Sequence, residues 1–234
     1  MAGFSKLAKV ESKLLLRDPG AIFSMAIPLF ILVIFSGGAG PGDTALPSMS
    51  MTIAVGLVGL YMVPTTLATY RERGILRRLS TTPVSPGALL GVQLMLQLVF
   101  AVLASAVLVA VSVVIFQAAP PARVVAMATA FLLGTSAIFA VGLLIAATAA
   151  NGRAANGIGV LLYFPLAFLG GLMQPKEAMP ELLAAIGEFT PLGLFRQAVH
   201  DAWSGAATQP LLLAIMAVYA LVIGLVSARC FRWA

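Results

Sequence analysis

Residues 88–116 read ALLGVQLMLQLVFAVLASAVLVAVSVVIF, and none of them carries a charge. The stretch exceeds the ~20 residues that a helix needs to cross the hydrocarbon core of a bilayer. The surrounding uncharged run, 79–122, is long enough for a second interpretation, two spans joined by a tight turn. However, residues 80–87 read STTPVSPG and residues 117–121 read QAAPP, so both ends favour turns over a helix interior. We therefore predict one long, tilted membrane helix over 88–116.

The same pattern extends over the whole chain of 234 residues, of which 61% are hydrophobic and only 9% are charged. A soluble globule of this size cannot hide so much apolar surface, and disordered chains are poor in hydrophobic residues. Other long uncharged runs lie at 19–42, 44–70, 124–152, 154–175 and 202–228. We predict an all-α integral membrane protein, a single domain over 1–234, with six spans near 21–40, 48–70, 88–116, 124–149, 156–174 and 208–228.

The positions of lysine and arginine predict the orientation of these spans. With both termini inside the cell, the inner segments hold 11 of the 14 basic residues, namely Lys6, Lys9, Lys13, Arg17, Arg71, Arg73, Arg77, Arg78, Arg153, Arg229 and Arg232. The outer segments then hold only Arg123, Lys176 and Arg196. We therefore predict a multi-pass protein of the cell (plasma) membrane with two cytoplasmic termini.

The N-terminal segment, 1–18, is predicted to be a cytoplasmic interfacial helix. Its apolar and basic side chains fall on different helical faces, Phe4, Leu7, Leu14 and Leu15 on one and Lys6, Lys9, Lys13 and Arg17 on another. This arrangement is typical of a helix that lies among anionic headgroups. A signal peptide is disfavoured, because the basic region includes Glu11 and Asp18 and no small-residue cleavage site follows the apolar stretch.

The predicted spans contain no ionisable residue. Every Asp and Glu, and the single histidine, His200, falls in a loop or at an interface. Carriers driven by protons or sodium usually keep ionisable residues within their spans. Carbonyls and hydroxyls alone can hold sodium, however, so the pattern disfavours an ion-driven carrier and leaves it open.

No catalytic residue, metal site or cofactor site is predicted in this chain. His200 stands alone, Cys230 falls on the other side of the membrane, and no G-x-S-x-G turn presents a nucleophile. A phosphate-binding loop needs a lysine preceded by glycine, whereas other residues precede each of Lys6, Lys9, Lys13 and Lys176. An ATPase, if one is used, must therefore be a separate polypeptide. The net charge of +6 lies in clusters between apolar runs, which favours a membrane surface over nucleic acid as the partner.

The loop after the second predicted span, 70–86, reads YRERGILRRLSTTPVSP. Its apolar residues, Ile75, Leu76 and Leu79, share one helical face, with Glu72 and the arginines around the rest. We predict a short interfacial helix that ends before Pro83. The residue types alone leave two roles open, a basic anchor on the inner side of the membrane or a docking element for another protein.

This loop resembles the corresponding loop in the membrane subunits of type-2 ATP-binding-cassette (ABC-2) exporters, the drug, lipid and polysaccharide export permeases. Members often read R-E-[KR]-G-T-L-x-x-L-x-x-T-P there, and residues 71–83 here read RERGILRRLSTTP. Ile75 stands where threonine is common, and Arg77 where many members carry glutamate, which argues against an acidic contact at that position. The resemblance covers nearly the whole chain, through Arg17-Asp18-Pro19, Phe164-Pro165, Gly170–Pro175, Pro180, Thr190-Pro191 and Arg196–Trp203.

The resemblance implies a half-transporter that pairs with a second membrane subunit, identical or paralogous, and with two cassette ATPase subunits that bind ATP and Mg²⁺. The loop would act as a coupling helix in a groove of the ATPase, with the docking residues Arg71, Glu72, Arg73, Gly74, Ile75, Leu76, Arg77, Arg78 and Leu79. The segment 176–203 would hold short helices that re-enter the membrane and shape an outer gate with Pro175, Pro180, Pro191 and Arg196. Interfacial packing, with Trp203 in the aromatic belt, is the alternative for that segment.

We therefore predict a permease subunit that exports a hydrophobic or amphipathic compound from the cytoplasm with energy from a partner ATPase. The absence of charges in the spans predicts a pathway lined by Phe, Met, Leu and small polar residues, although no residue can be assigned to it. Drug or antibiotic efflux is the first candidate, followed by lipid and then polysaccharide export. An ion-driven carrier, a passive channel and a structural membrane scaffold are the alternatives from other classes.

Overall fold

The computed structural model describes residues 9, 11–15, 17–35, 41–75, 86–174 and 178–230. Among these residues all regular secondary structure is helical, which confirms the predicted all-α fold. A short helical segment covers 11–15. The helices that follow are α1 (Pro19–Phe35), α2 (Ala45–Glu72), α3 (Pro86–Val114), α4 (Val124–Thr148), α5 (Gly152–Leu169), α6 (Glu181–Phe189), α7 (Pro191–Ser204) and α8 (Pro210–Cys230).

Five of the described helices are long and apolar enough to cross a membrane, namely α2, α3, α4, α5 and α8. The sixth apolar helix, α1, has 17 residues, and residues 36–40 of the first predicted span lie outside the described residues. The largest difference from the predicted bounds is in α5, which covers 152–169 instead of 156–174. It begins earlier because the Asn151 side chain caps it by accepting from the Ala154 N–H. It ends earlier because the chain turns at Gly170 and Gly171, the latter at φ +74°.

The central helix of the bundle is α2, which contacts α1, α3, α4, α5 and α7. Its middle, Val58–Met62, forms a single π-helical turn. Two glycines of neighbouring helices pack directly on the backbone of this turn. A Cβ atom on Gly142 of α4 would lie 2.0 Å from the Gly59 carbonyl oxygen, and one on Gly159 of α5 would lie 2.0 Å from the Leu60 carbonyl oxygen. Small residues therefore set the close approach of these helices.

The two ends of the bundle differ in charge. α2 ends where α4 ends and α5 begins, as the contacts of Arg71 and Glu72 described below show. We call this the basic end, because Arg17, Arg71, Arg73, Arg153 and Arg229 lie in or next to the helix termini there. The other end, which holds the α3–α4 connection and the C-terminus of α7, is called the opposite end. α8 packs along α4, and its Ser227 hydroxyl donates to the Ala140 carbonyl oxygen over 3.2 Å.

Candidate functional site

At the basic end, Arg71 lies in the last turn of α2 and caps the C-terminus of α4. Its guanidinium donates to the carbonyl oxygens of Ala146 at 2.9 Å and Ala147 at 3.0 Å, and also to that of Ala149. The last carbonyls of a helix have no partner within the helix and carry partial negative charge. A half-buried arginine with several donors therefore satisfies the end of α4.

The next residue, Glu72, caps the N-terminus of α5 in the complementary way. Its carboxylate accepts the backbone N–H of Gly152 over 3.0 Å. The first N–H groups of a helix also lack internal partners, and the positive end of the helix dipole favours an anion there. The Thr69 hydroxyl packs against the same glycine, since a Cβ atom on Gly152 would lie 2.2 Å from Thr69 Oγ1. Arg71 and Glu72 thus attach the end of α2 to the two helix ends on either side of the α4–α5 turn, residues 149–151. The positive charge binds the end of α4, and the negative charge binds the beginning of α5.

The N-terminal segment packs against this end of α2. Glu11 is buried, and its carboxylate accepts a hydrogen bond from the Tyr70 hydroxyl. Lys9 and Lys13 are exposed. Phe4, Leu7 and Lys6, on which much of the predicted amphipathic pattern depends, lie outside the described residues.

The predicted docking residues fall into two groups. Arg71 and Glu72 have partners within the chain, as described above; Arg71 is half-buried, and the side chains of Glu72 and Arg73 are exposed. Gly74 follows at φ +64°, a left-handed conformation that ends α2 and favours glycine. Ile75 is half-buried and packs against the hydrophobic core. The other predicted docking residues, Leu76, Arg77, Arg78 and Leu79, lie outside the described residues.

At the opposite end, two short helices follow the two prolines that the sequence singled out. Pro180 is the N-cap of α6, and Pro191 is the first residue of α7. The joint between these helices is held by Thr190, whose hydroxyl donates to the Gly187 carbonyl oxygen and accepts from the Gly193 N–H. Pro175, the remaining proline of the predicted gate, lies outside the described residues.

Helix α7 packs inside the bundle. Near its start, Leu192 contacts Gly56 of α2, which at 1.5 Å per residue lies roughly 16 Å along the helix from Ala45. At its end, Trp203 is 1% exposed, and its indole N–H donates to the Ala119 carbonyl oxygen over 2.6 Å. α7 therefore reaches from the opposite end to about the middle of α2, as a re-entrant segment would. Trp203 itself is packed within the bundle.

Arg196, the fourth residue of the predicted gate, connects α7 to the end of α5. Its guanidinium donates to the Gly170 carbonyl oxygen over 3.1 Å. Phe195 beside it forms an edge-to-face contact with Phe131 of α4, with ring centroids 6.1 Å apart. Tyr219 of α8 donates to the Phe189 carbonyl oxygen at the end of α6. The α6–α7 pair thus contacts α4, α5 and α8.

A cavity of about 500 Å³ lies between α1, α2, α5 and the turn after α5. Phe23 and Ile27 of α1 face Tyr163 and Phe164 of α5 across it, and Met173 lies beyond the end of α5. Its polar lining groups are the hydroxyls of Ser24, Tyr61 and Tyr163. The Ser24 hydroxyl is buried without a hydrogen-bond partner among the described residues. Among the described residues no charged side chain lines the cavity, and this lining suits an apolar or amphipathic molecule with a hydroxyl or carbonyl group.

Side chains that could bind a metal ion or catalyse a reaction do not cluster in the part of the chain that the structure describes. No cluster of three or more His, Cys, Asp and Glu side chains that could hold a metal ion occurs there. His200 lies next to Ser48, with 3.5 Å between Nδ1 and Oγ. Asp201, next to it in sequence, accepts from the Gln197 amide instead. Cys230 is exposed at the other end of the bundle.

Two features of the site were not assigned from the sequence. The lining of the transport pathway was predicted by residue type only and no position was named, so the residues around this cavity were not identified. The inward contacts of Arg71 and Glu72 were also missed. A usable signal was their place in the last turn of a long apolar helix, where paired charges can satisfy neighbouring helix ends.

Comparison with curated proteins finds no significant match. A protein-family model described as "ABC-2 type transporter" matches residues 3–203. The match includes the five predicted spans before the last, the loop after α2 and the helices α6 and α7. Since it covers most of the 234 residues, this chain belongs to the ABC-2 type transporter family.

Proposed function

We propose that this chain is the membrane subunit of an ATP-driven exporter whose cargo is a hydrophobic or amphipathic small molecule. Membership of the ABC-2 family supports a membrane permease that works with an ATPase. The observation that carries the cargo class is the uncharged cavity between α1, α2 and α5. Aromatic and aliphatic side chains around a few hydroxyls bind lipophilic compounds better than a charged sugar polymer. Drugs or antibiotics are the first candidates, with lipids second and polysaccharides third.

The partner ATPase would dock on the basic end, and the distribution of lysine and arginine supports a cytoplasmic position for this end. Arg73 is exposed there, and the loop turns away from α2 at Gly74. Apolar side chains flanked by arginines would fit a groove with an acidic rim. ATP binding to two such subunits would rock the helices between two states, and each state must differ in its contacts with the cargo.

A second membrane subunit, identical or paralogous, would complete the pathway. The lining residues Phe23 and Phe164 leave more than half of their surface exposed. A partner on this face would enclose the cavity between two chains. The helices α6 and α7 would then form the outer gate, with Pro180, Pro191 and Arg196 at its joints.

Purification with a tag from the membranes of its own host tests this function directly. We expect a polypeptide with a nucleotide-binding cassette to co-purify, and the complex in vesicles to hydrolyse ATP faster with a lipophilic dye such as rhodamine 6G or with another apolar compound. Transport by the isolated chain, with neither a second protein nor nucleotide, would contradict the proposal and favour an ion-driven carrier or channel.

The substitution Phe164→Ala tests whether the cargo binds in the cavity. Losing a phenylalanine from an apolar site removes about 1.5–3 kcal/mol of burial, so we expect the cargo concentration for half-maximal stimulation of ATP hydrolysis to rise about tenfold or more. Leu161→Ala is the matched control, because Leu161 lies on the same helix, is 72% exposed and does not line the cavity. Equal effects of the two substitutions would mean that the cargo binds elsewhere.

A further inference from the structure

Arg71 and Glu72 make contacts that a docking surface would not need. Together they bind four backbone groups at the α4–α5 connection, the carbonyl oxygens of residues 146, 147 and 149 and the N–H of Gly152. Arg71 is only half-exposed, and the donors it directs at α4 are not available to another protein. Both residues nevertheless stand immediately before Arg73 and Gly74, where the chain leaves α2. They therefore connect the start of the loop to both sides of the α4–α5 turn, Arg71 to the end of α4 and Glu72 to the beginning of α5.

The connection leads to the cavity. α5 supplies Val160, Tyr163, Phe164 and Ala167 to the lining, and its first residue, Gly152, is the one that Glu72 holds. We call the contacts of Arg71 and Glu72 with the α4–α5 connection the clamp. A displacement of the loop can thus reach the cavity along two routes, through α2 itself and through the clamp to α5. The Glu72 contact adds a polar link to the packing of Gly152 against Thr69, and together they hold the ends of α2 and α5 against each other at the basic end.

We propose that Arg71 and Glu72 are positioning residues that transmit movement of the loop to α5, and that they are not contacts to the ATPase. This inference rests on the proposed function, since it requires that an ATPase moves the loop. It assigns the contact with the ATPase to Arg73 and the residues after it. Arginine is specific for this task, because its planar group directs donors at carbonyls of residues 146, 147 and 149 at once, whereas a lysine ammonium is a single point.

The test uses the complete complex and measures how accessible one residue at the mouth of the cavity is to a thiol reagent. Cys230 is the only cysteine of the chain, so Cys230→Ser combined with Met173→Cys leaves one thiol at the mouth of the cavity, where Met173 is 53% exposed. A membrane-impermeant maleimide then reports how accessible this position is, without nucleotide and with ATP plus vanadate. We expect the labelling rate in the parent complex to change by about tenfold between the two states, a usual size for coupling between sites.

Arg71→Lys and Glu72→Gln are introduced separately into this background. We expect normal amounts of co-purified ATPase and normal basal ATP hydrolysis, but a labelling rate that changes by less than twofold with ATP and vanadate. A purely structural role would reduce the amount of folded complex and leave the ratio of the two labelling rates intact. Glu72→Gln removes the negative charge at the N-terminus of α5 and keeps an oxygen that can accept from the Gly152 N–H, so it decides the question even if Arg71→Lys lowers expression.

Arg229→Lys is the matched control, an exposed arginine at the same end on α8, and we expect it to behave as the parent does. Loss of ATPase binding in Arg71→Lys or Glu72→Gln would overturn the inference and return both residues to the docking surface. A normal nucleotide-dependent change in labelling would overturn it as well. A parent complex without ATPase or without any nucleotide response would instead overturn the proposed function itself.

Discussion

Gly142→Ala is expected to abolish accumulation of the folded chain. A Cβ atom at this position would lie 2.0 Å from the Gly59 carbonyl oxygen, which belongs to the backbone of the central helix and cannot rotate away. α2 and α4 would have to separate along their buried contact. Overpacking of this kind costs roughly 3 kcal/mol, a large part of the 5–15 kcal/mol by which proteins are usually stable. The measurement is the amount of monodisperse protein that detergent extracts from the membrane.

Gly157→Ala and Gly224→Ala are the controls for this prediction. Both glycines lie in apolar helices, and a Cβ atom on either would meet nothing within 4 Å. Alanine is the better helix former by about 1 kcal/mol, so these variants should accumulate at least as well as the parent. If Gly142→Ala also accumulated normally, the close approach of α2 and α4 would be wrong.

Gly74→Pro is expected to reduce ATPase co-purification by more than tenfold while the chain still inserts into the membrane. Proline fixes φ near −65°, whereas Gly74 has φ +64°. Proline also lacks the N–H that Gly74 donates to the Arg71 carbonyl oxygen. The loop must therefore leave α2 in another direction, and its predicted docking face can no longer meet the ATPase. Replacing Ile75 and Leu79 together with Asp should have the same effect through the apolar face.

Two further variants distinguish the effect of the backbone conformation at Gly74 from the effect of adding a side chain. Gly74→Ala keeps the N–H and meets nothing within 4 Å, so it should show an intermediate loss, because alanine adopts the left-handed conformation at a cost of about 1–2 kcal/mol. Gly87→Ala, at the start of α3, also has open space around it and should match the parent. Normal ATPase binding in Gly74→Pro would mean that the loop is only a basic anchor.

The helical architecture was predictable from charge alone, because a bilayer excludes charged side chains from the interior of its spans. α2, α3, α4 and α8 each lie almost entirely within an uncharged run. The helix whose bounds differ most from this pattern is α5, where the predicted span began after Arg153. A charge in the first turn of a helix can reach the headgroups, so the helix starts one residue before Arg153 and the charge does not mark its boundary.

The contacts of the candidate site were less predictable from the sequence, because of the kind of group that its charged side chains bind. The groups that Arg71 and Glu72 bind are backbone atoms of residues 146–152. Every residue offers a carbonyl and nearly every residue an N–H, so no side-chain pattern marks these positions. The cavity poses the same difficulty, because it is formed where Phe23, Tyr61 and Phe164 of three separate helices meet. The resemblance located the loop but could not show which of its charges face inward.

The π-helical turn at Val58–Met62 has a consequence for how the length of α2 can vary during evolution. Such a turn contains one residue more than an α-helical turn, and the helix on either side keeps its register. Losing one residue there would straighten the helix and leave Arg71 and Glu72 aimed at their partners. A single deletion elsewhere in α2 would rotate one part by about 100° against the other. Homologous chains that are one residue shorter in this helix should therefore have their gap within 58–62.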